Sequence, residues 1–146
     1  MSHVCDMQLD IHDLAALEEA AKSIGLELVR GQTQYKWYGT HMGDYPLPAG
    51  FTKADLGQCD HTIRIPGHGE AYEIGVVKRK DGKPGFQLIW DFWQGGYGLE
   101  AKIGKDGGLL KQSYAAQATK KQMLREGYRS STKKDMFGNV LLIFTK

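Results

Sequence analysis

Side chains of metal-ligating or acid–base type gather between positions 41 and 70, among them His41, Asp44, Cys59, Asp60, His61, His68 and Glu70. Imidazole, thiolate and carboxylate are the groups that hold zinc or iron. The spacings here (H-x₂-D, C-D-H, H-x-E) match no diagnostic ligand pattern. On a strand, the adjacent Asp60 and His61 would point to opposite faces, so one regular site cannot take both. His61, His68 and Glu70 are the weak metal candidates that remain. A hydrolase or nuclease drawn from His41, His61, His68 and Glu70 has no nameable base–nucleophile pair. A metal-dependent enzyme using these loop residues is therefore the third reading of the chain, and no cofactor is expected.

Other chemical signals are weaker. "PGHGEA" contains G-x-G but joins strand to strand, with no helix N-terminus to meet a phosphate. "GKDGG" lacks the Lys-Ser/Thr end of a phosphate loop. A retained Met1 ahead of Ser2 and His3 would form a square-planar Cu(II) or Ni(II) chelate. Removal of Met1 destroys that geometry, and the plainer reading is that Ser2 and His3 tether the first strand. Cys5 and Cys59 have no CxxC context and read as two reduced thiols in a cytoplasmic compartment.

The segment "FQLIWDFWQGG" (86–96) sets Asp91 among Trp90, Phe92 and Trp93, ahead of two glycines. Strand alternation puts Leu88, Trp90 and Phe92 on one apolar face and Ile89, Asp91 and Trp93 on the other. Asp91 is expected on the outer, partly solvated face, paired to a cation or to backbone amides, because carboxylates are rarely buried alone. A ligand- or partner-facing role for Asp91 and Trp93 is the alternative.

These residues must be positioned by a chain of 146 residues, 41% hydrophobic and 25% charged. Such a chain can bury a sizeable core and is neither disordered nor membrane-embedded. The apolar run "VLLIF" (140–144) is far too short to span a bilayer. No basic-then-apolar leader opens the chain, so no secretory signal is expected. Net charge is polarised: residues 1–75 carry 5 Lys/Arg against 11 Asp/Glu, and residues 76–146 carry 14 against 6. Lys111, Lys120, Lys121, Arg125, Arg129, Lys133 and Lys134 form the basic surface. It reads either as a solvated helix face and hairpin or as a nucleic-acid groove with Tyr114 and Tyr128 available for stacking.

The pattern of elements is β-α-β-(ββ)β-α-ββ, an α+β arrangement of one domain. Leu14, Leu17, Ala21 and Ile24 recur at helical spacing and Gly25 stops the helix. "LELVR", "HTIRI", "AYEIGVVKR" and "FQLIWDFW" read as strands, with "KDGKPG" as a hairpin turn. A second helix runs from about Leu109 to Glu126. "YRSSTKK", "DMFGN" and "VLLIFTK" make a closing hairpin whose final strand reads as fully buried. The expected fold is an antiparallel sheet of about five to seven strands with two helices on one face. Residues 39–58 interrupt it as a long irregular insertion.

The opening "MSH", the strand-helix-strand after it, "YEIGVV", "FQLIWDFW" and "KQSYAAQA" occur in an order that resembles the hypothetical chloroplast open reading frame thirty-five family. That family is found in cyanobacteria and some algal plastids, with relatives in bacteria and phages. The likeness runs over most of residues 1–36 and 58–146 and implies a fold. It brings no catalytic activity to carry over. The chain departs from the pattern at Trp37–Gln58, which looks like an insertion, and in a longer, more basic turn at Lys78–Lys83.

With no catalytic constellation, the leading expectation is a small binding or adaptor protein acting through protein–protein contacts. Its contact residues would be Trp37, Tyr38, His41, Tyr45, Phe51, Asp91 and Trp93, since aromatics on irregular segments make good interface anchors. Nucleic-acid binding by the basic C-terminal half is the runner-up.

Overall fold

The computed structural model describes residues 2–146. Five strands form an antiparallel sheet: β1 (Val4–Asp6), β2 (Glu27–Arg30), β3 (His61–Arg64), β4 (Ile74–Lys78) and β5 (Phe86–Asp91). Their spatial order is β1-β5-β4-β3-β2, so the helix between β1 and β2 carries the chain from one edge of the sheet to the other. A separate two-stranded sheet is made by β6 (Arg129–Lys134) and β7 (Val140–Thr145). The expected α+β class holds.

There are three α-helices, not two: α1 (Leu14–Ser23), the short α2 (Leu99–Ile103) and α3 (Gly108–Arg125). Alternation within each strand sends Ile63, Ile74, Val76, Leu88 and Trp90 toward the helices, where Ala16, Leu17, Ala20, Ile103 and Leu110 complete the larger core. Alanines on α1 let its backbone approach the sheet closely. Asp13 caps the helix by accepting the Ala16 amide at 3.1 Å. The same carboxylate meets Lys121 Nζ at 3.0 Å, and Tyr114 Oη accepts the His12 amide at 3.0 Å, which fastens α3 to the start of α1.

The opposite face of the sheet is covered too. Val4, Val77 and Ile89 pack there with Tyr35, Phe51 and Leu56 in a second, smaller core. The irregular segment is thus a layer of the fold. Gly75 makes this packing work: a Cβ there would lie 2.7 Å from Tyr35 Cε1, so only glycine lets the ring lie on the sheet.

The closing hairpin differs from expectation. Its strand β7 is not fully buried: Val140, Leu141 and Ile143 are 45%, 49% and 43% exposed, and the tip residues Met136 and Phe137 are 89% and 82% exposed. The reason is topological. The hairpin does not join the five-stranded sheet and contacts the rest of the chain chiefly through α3. Among the described residues, no helix is long and apolar enough to cross a membrane.

Candidate functional site

Strand β5 ends at Asp91, and its carboxylate is fully buried, which corrects the outer-face expectation. Pairing with backbone amides was one of the two partners foreseen, and it is the one found. Oδ1 accepts the amides of His3 at 2.9 Å and Trp93 at 3.0 Å, and Oδ2 accepts the Tyr38 amide at 3.0 Å. Three distant stretches therefore converge on one acceptor: the N-terminus, the irregular layer and the turn after β5. The irregular layer covers the face that alternation alone leaves open to solvent, which is why burial was missed. Full enclosure removes Asp91 from the partner-facing residues. Phe51 leaves that set for a similar reason, being 7% exposed in the second core.

Trp93 lies beyond the strand, in a turn whose backbone is left-handed at four successive residues. Gln94, Gly95, Gly96 and Tyr97 have φ of 52°, 63°, 64° and 53°. Glycine adopts this conformation freely, but for Gln94 and Tyr97 it costs roughly 1–2 kcal/mol each. The turn repays it with fixed contacts. Gly96 O accepts the Tyr72 amide at 2.9 Å, and the Tyr97 ring meets Tyr72 edge-on at 5.0 Å. Burial, with the nearby Asp91 carboxylate adding to it, pushes the Tyr72 hydroxyl up to about 12.

Above Asp91, the His3 ring sits among Tyr45, Phe92 and Trp93, with ring centroids 5.3, 5.1 and 5.2 Å away. Its Nε2 meets Asp44 Oδ2 at 3.0 Å, while Ser2 Oγ accepts the Met42 amide at 3.2 Å. Ser2 and His3 thus tether the first strand to the irregular layer. The amine that a chelate would need belongs to Met1, outside the described residues. Trp37 packs against the second core, His41 and Tyr45 are half-buried, and Tyr38 is 42% exposed. The aromatics of the insertion are spent largely on holding the protein's own N-terminus and sheet.

A cleft of about 600 Å³ lies beside β1, lined by Cys5, Tyr45, Trp90 and Phe92 together with charges that include Glu100 and Lys111. Burial, followed by the charges of Asp6 and Asp106, pushes the Cys5 thiol up to about 11, so it is no thiolate nucleophile at neutral pH. Cys59 is pushed up to about 12, again mainly by burial.

The metal candidates do not converge. His61 lies on β3 with its ring 5.6 Å from Phe86, and its Nδ1 accepts the Gly31 amide at 3.0 Å. His68 and Glu70 are exposed in the turn after β3. Among the described residues, no three His, Cys, Asp or Glu side chains form a group able to hold a metal ion.

The basic residues divide by structure. Lys121 is committed to Asp13, whereas Lys120 and Arg125 lie elsewhere on α3 with Lys111 near its start. In the hairpin, the register pairs Lys133 with Leu141, Ser131 with Ile143 and Arg129 with Thr145. One face therefore carries Arg129, Ser131, Lys133, Leu141 and Ile143, and the other carries Lys134, Val140, Leu142 and Phe144. This apolar ribbon with a cationic edge is the surface that sequence reasoning missed. "VLLIF" was its signal, taken there as interior strand.

No family model, curated protein or solved structure matches this chain.

Proposed function

We propose that the protein is a non-enzymatic binding module acting through protein–protein contacts, and that the C-terminal hairpin, rather than the insertion, is its contact element. The observation that carries this reading is the exposure of Met136 and Phe137 at the tip and of Val140, Leu141 and Ile143 along a two-stranded ribbon. Apolar surface concentrated on one element in this way is costly in water and marks interaction sites. A lone hairpin is also marginally stable by itself, so a partner that covers it contributes to its order. Two free thiols agree with a reducing, cytoplasmic setting.

Capture from native lysate with wild type and with Met136→Ser/Phe137→Ser tests the reading. A stoichiometric protein retained by wild type and lost by the variant, with unchanged circular dichroism, supports it. Equal recovery of every bound protein by both refutes it.

A second reading is nucleic-acid binding through the same ribbon, favoured by Arg129 and Lys133 sharing one face beside Lys134. Phosphate contacts must weaken steeply with salt. A mobility shift that fades between low and physiological salt, and is lost in Lys133→Glu/Lys134→Glu, supports this reading; no shift at low salt ends it.

A further inference from the structure

Strand β7 is apolar on both faces, the pattern of a strand enclosed within a sheet, yet it lies at an edge with β6 as its sole strand neighbour among the described residues. Resting on the reading of the hairpin as a docking element, we propose that the β7 edge pairs antiparallel with β7 of a second copy of this chain. The product is a continuous sheet in the order β6-β7-β7-β6 across a twofold axis.

Backbone geometry defines which groups are open. The Asp135 amide donates to Asn139 O at 3.0 Å, closing the hairpin as a hydrogen-bonded pair. Antiparallel pairs alternate between bonded and non-bonded. In the observed register, therefore, Leu141, Ile143 and Thr145 bond toward β6. Val140, Leu142 and Phe144 turn their amides and carbonyls outward. These outward groups can bond only to even-numbered residues of the second copy. Centring the twofold near Leu142 then sets Val140 against Phe144 and Leu141 against Ile143. Both rows are apolar, as cross-strand pairs prefer.

Charge selects this edge over the other. β7 itself carries no ionisable side chain, whereas β6 carries Arg129, Lys133 and Lys134. Pairing through β7 leaves the two β6 strands three strand spacings apart, about 14 Å at ~4.8 Å each. That exceeds the ~8 Å screening length at physiological ionic strength. Pairing through β6 would bring the same cations within about 5 Å. Strands β6 are therefore protected edges of the kind lysines make, and β7 is the open one.

The area is sufficient. At about 150–200 Å² for a large apolar side chain, the exposed fractions of Met136, Phe137, Val140, Leu141 and Ile143 amount to on the order of 500 Å² per chain. Two copies together thus offer up to the ~1,000 Å² that separates specific interfaces from incidental contacts, the full value being reached when the pairing covers tip and ribbon alike. The antiparallel arrangement also sends each Met136–Phe137 tip toward the root of the other hairpin, where Leu124 is 48% exposed.

Sedimentation equilibrium of the full chain from 1 to about 100 µM tests the inference. The expected result is a dimer that Leu141→Lys/Ile143→Lys converts to monomer, with at least a tenfold weaker association and an unchanged circular dichroism spectrum. Leu142→Cys gives a second readout that needs no loss of folding: mild oxidation should yield a disulfide-linked dimer, and Ser131→Cys, on β6, should not. A wild-type chain that stays monomeric at the highest concentration overturns the inference. If that monomer still captures a different protein through Phe137, the docking reading survives and only the second copy is refuted. If neither dimer nor capture is seen, both fall.

Discussion

Replacing Asp91 by Asn is the most informative single change, because it removes one charge and alters few atoms. The fully buried carboxylate holds three backbone amides, from His3, Tyr38 and Trp93, at 2.9–3.0 Å. Asparagine keeps one acceptor oxygen. If that oxygen serves the His3 and Trp93 amides, the new NH₂ faces the Tyr38 amide, donor against donor. One charge-assisted bond is then lost, at roughly 1.5–3 kcal/mol. A buried donor left without a partner adds about 1–3 kcal/mol. The sum, about 2.5–6 kcal/mol, brackets the expected cost of Trp90→Ala, a core truncation in the ~3–5 kcal/mol class. Against a total stability of about 5–15 kcal/mol, either change is severe. Urea denaturation of both variants measures the totals, and hydrogen exchange at the His3, Tyr38 and Trp93 amides reports the local effect. A cost below about 1 kcal/mol for Asp91→Asn, with protection of all three amides intact, would refute the role of Asp91 as the common anchor.

Three further outcomes follow from the packing. Gly75→Ala should cost about 1–3 kcal/mol, read by urea denaturation, as an overpacked Cβ drives Tyr35 off the sheet. Asp13 has its carboxyl held below the usual value, first by the Ala16 amide and then by Lys121. Its contribution is therefore complete above the unfolded-state value of 3.8 and is lost as pH falls through the lower folded value. Asp13→Ala should cost about 1 kcal/mol at pH 7 and progressively less as the pH falls below 3.8, measured by thermal melts across an acid series. Cys5 and Cys59, pushed up to about 11 and about 12, should resist iodoacetamide at pH 8 in the folded protein and react fully in urea.

Much of the fold was legible because period and punctuation agreed with burial. Leu14, Leu17, Ala21 and Ile24 repeat at helical spacing; Leu17 and Ala21 are buried in the larger core, Leu14 and Ile24 pack at its margin, and Gly25 does end α1 with φ of 81°. The central strands were equally clear, since Ile74, Val76, Leu88 and Trp90 alternate as one buried face needs. Two things could not be read. Whether the second face of β5 meets water depends on where residues 35–59 travel, and irregular chain has no period to betray its path. Whether "VLLIF" is interior depends on which strands it joins, and composition is silent about that. The left-handed turn after β5 was only hinted at by Gly95, Gly96 and Gly98; Gln94 and Tyr97 disguise it, being residues that rarely take positive φ.

The two misjudged places share one cause, and it bears on function. A strand with two apolar faces must be covered on both, by its own chain or by another. For β5 the cover is internal: Tyr35, Phe51 and Leu56 close over Ile89, and the amides of His3, Tyr38 and Trp93 satisfy the Asp91 carboxylate enclosed beside it. Removing the insertion would therefore strip a core face instead of cleanly deleting a binding loop. For β7 the cover is partial: Leu142 and Phe144 are half-buried, whereas Leu141 and Ile143 stay almost half exposed, and β7 itself carries no charge along its outer edge. The same rule that explains why Asp91 can be buried thus points to the hairpin as the unfinished part of the molecule. What completes it has to bring apolar side chains and free backbone groups together, and an identical strand brings both.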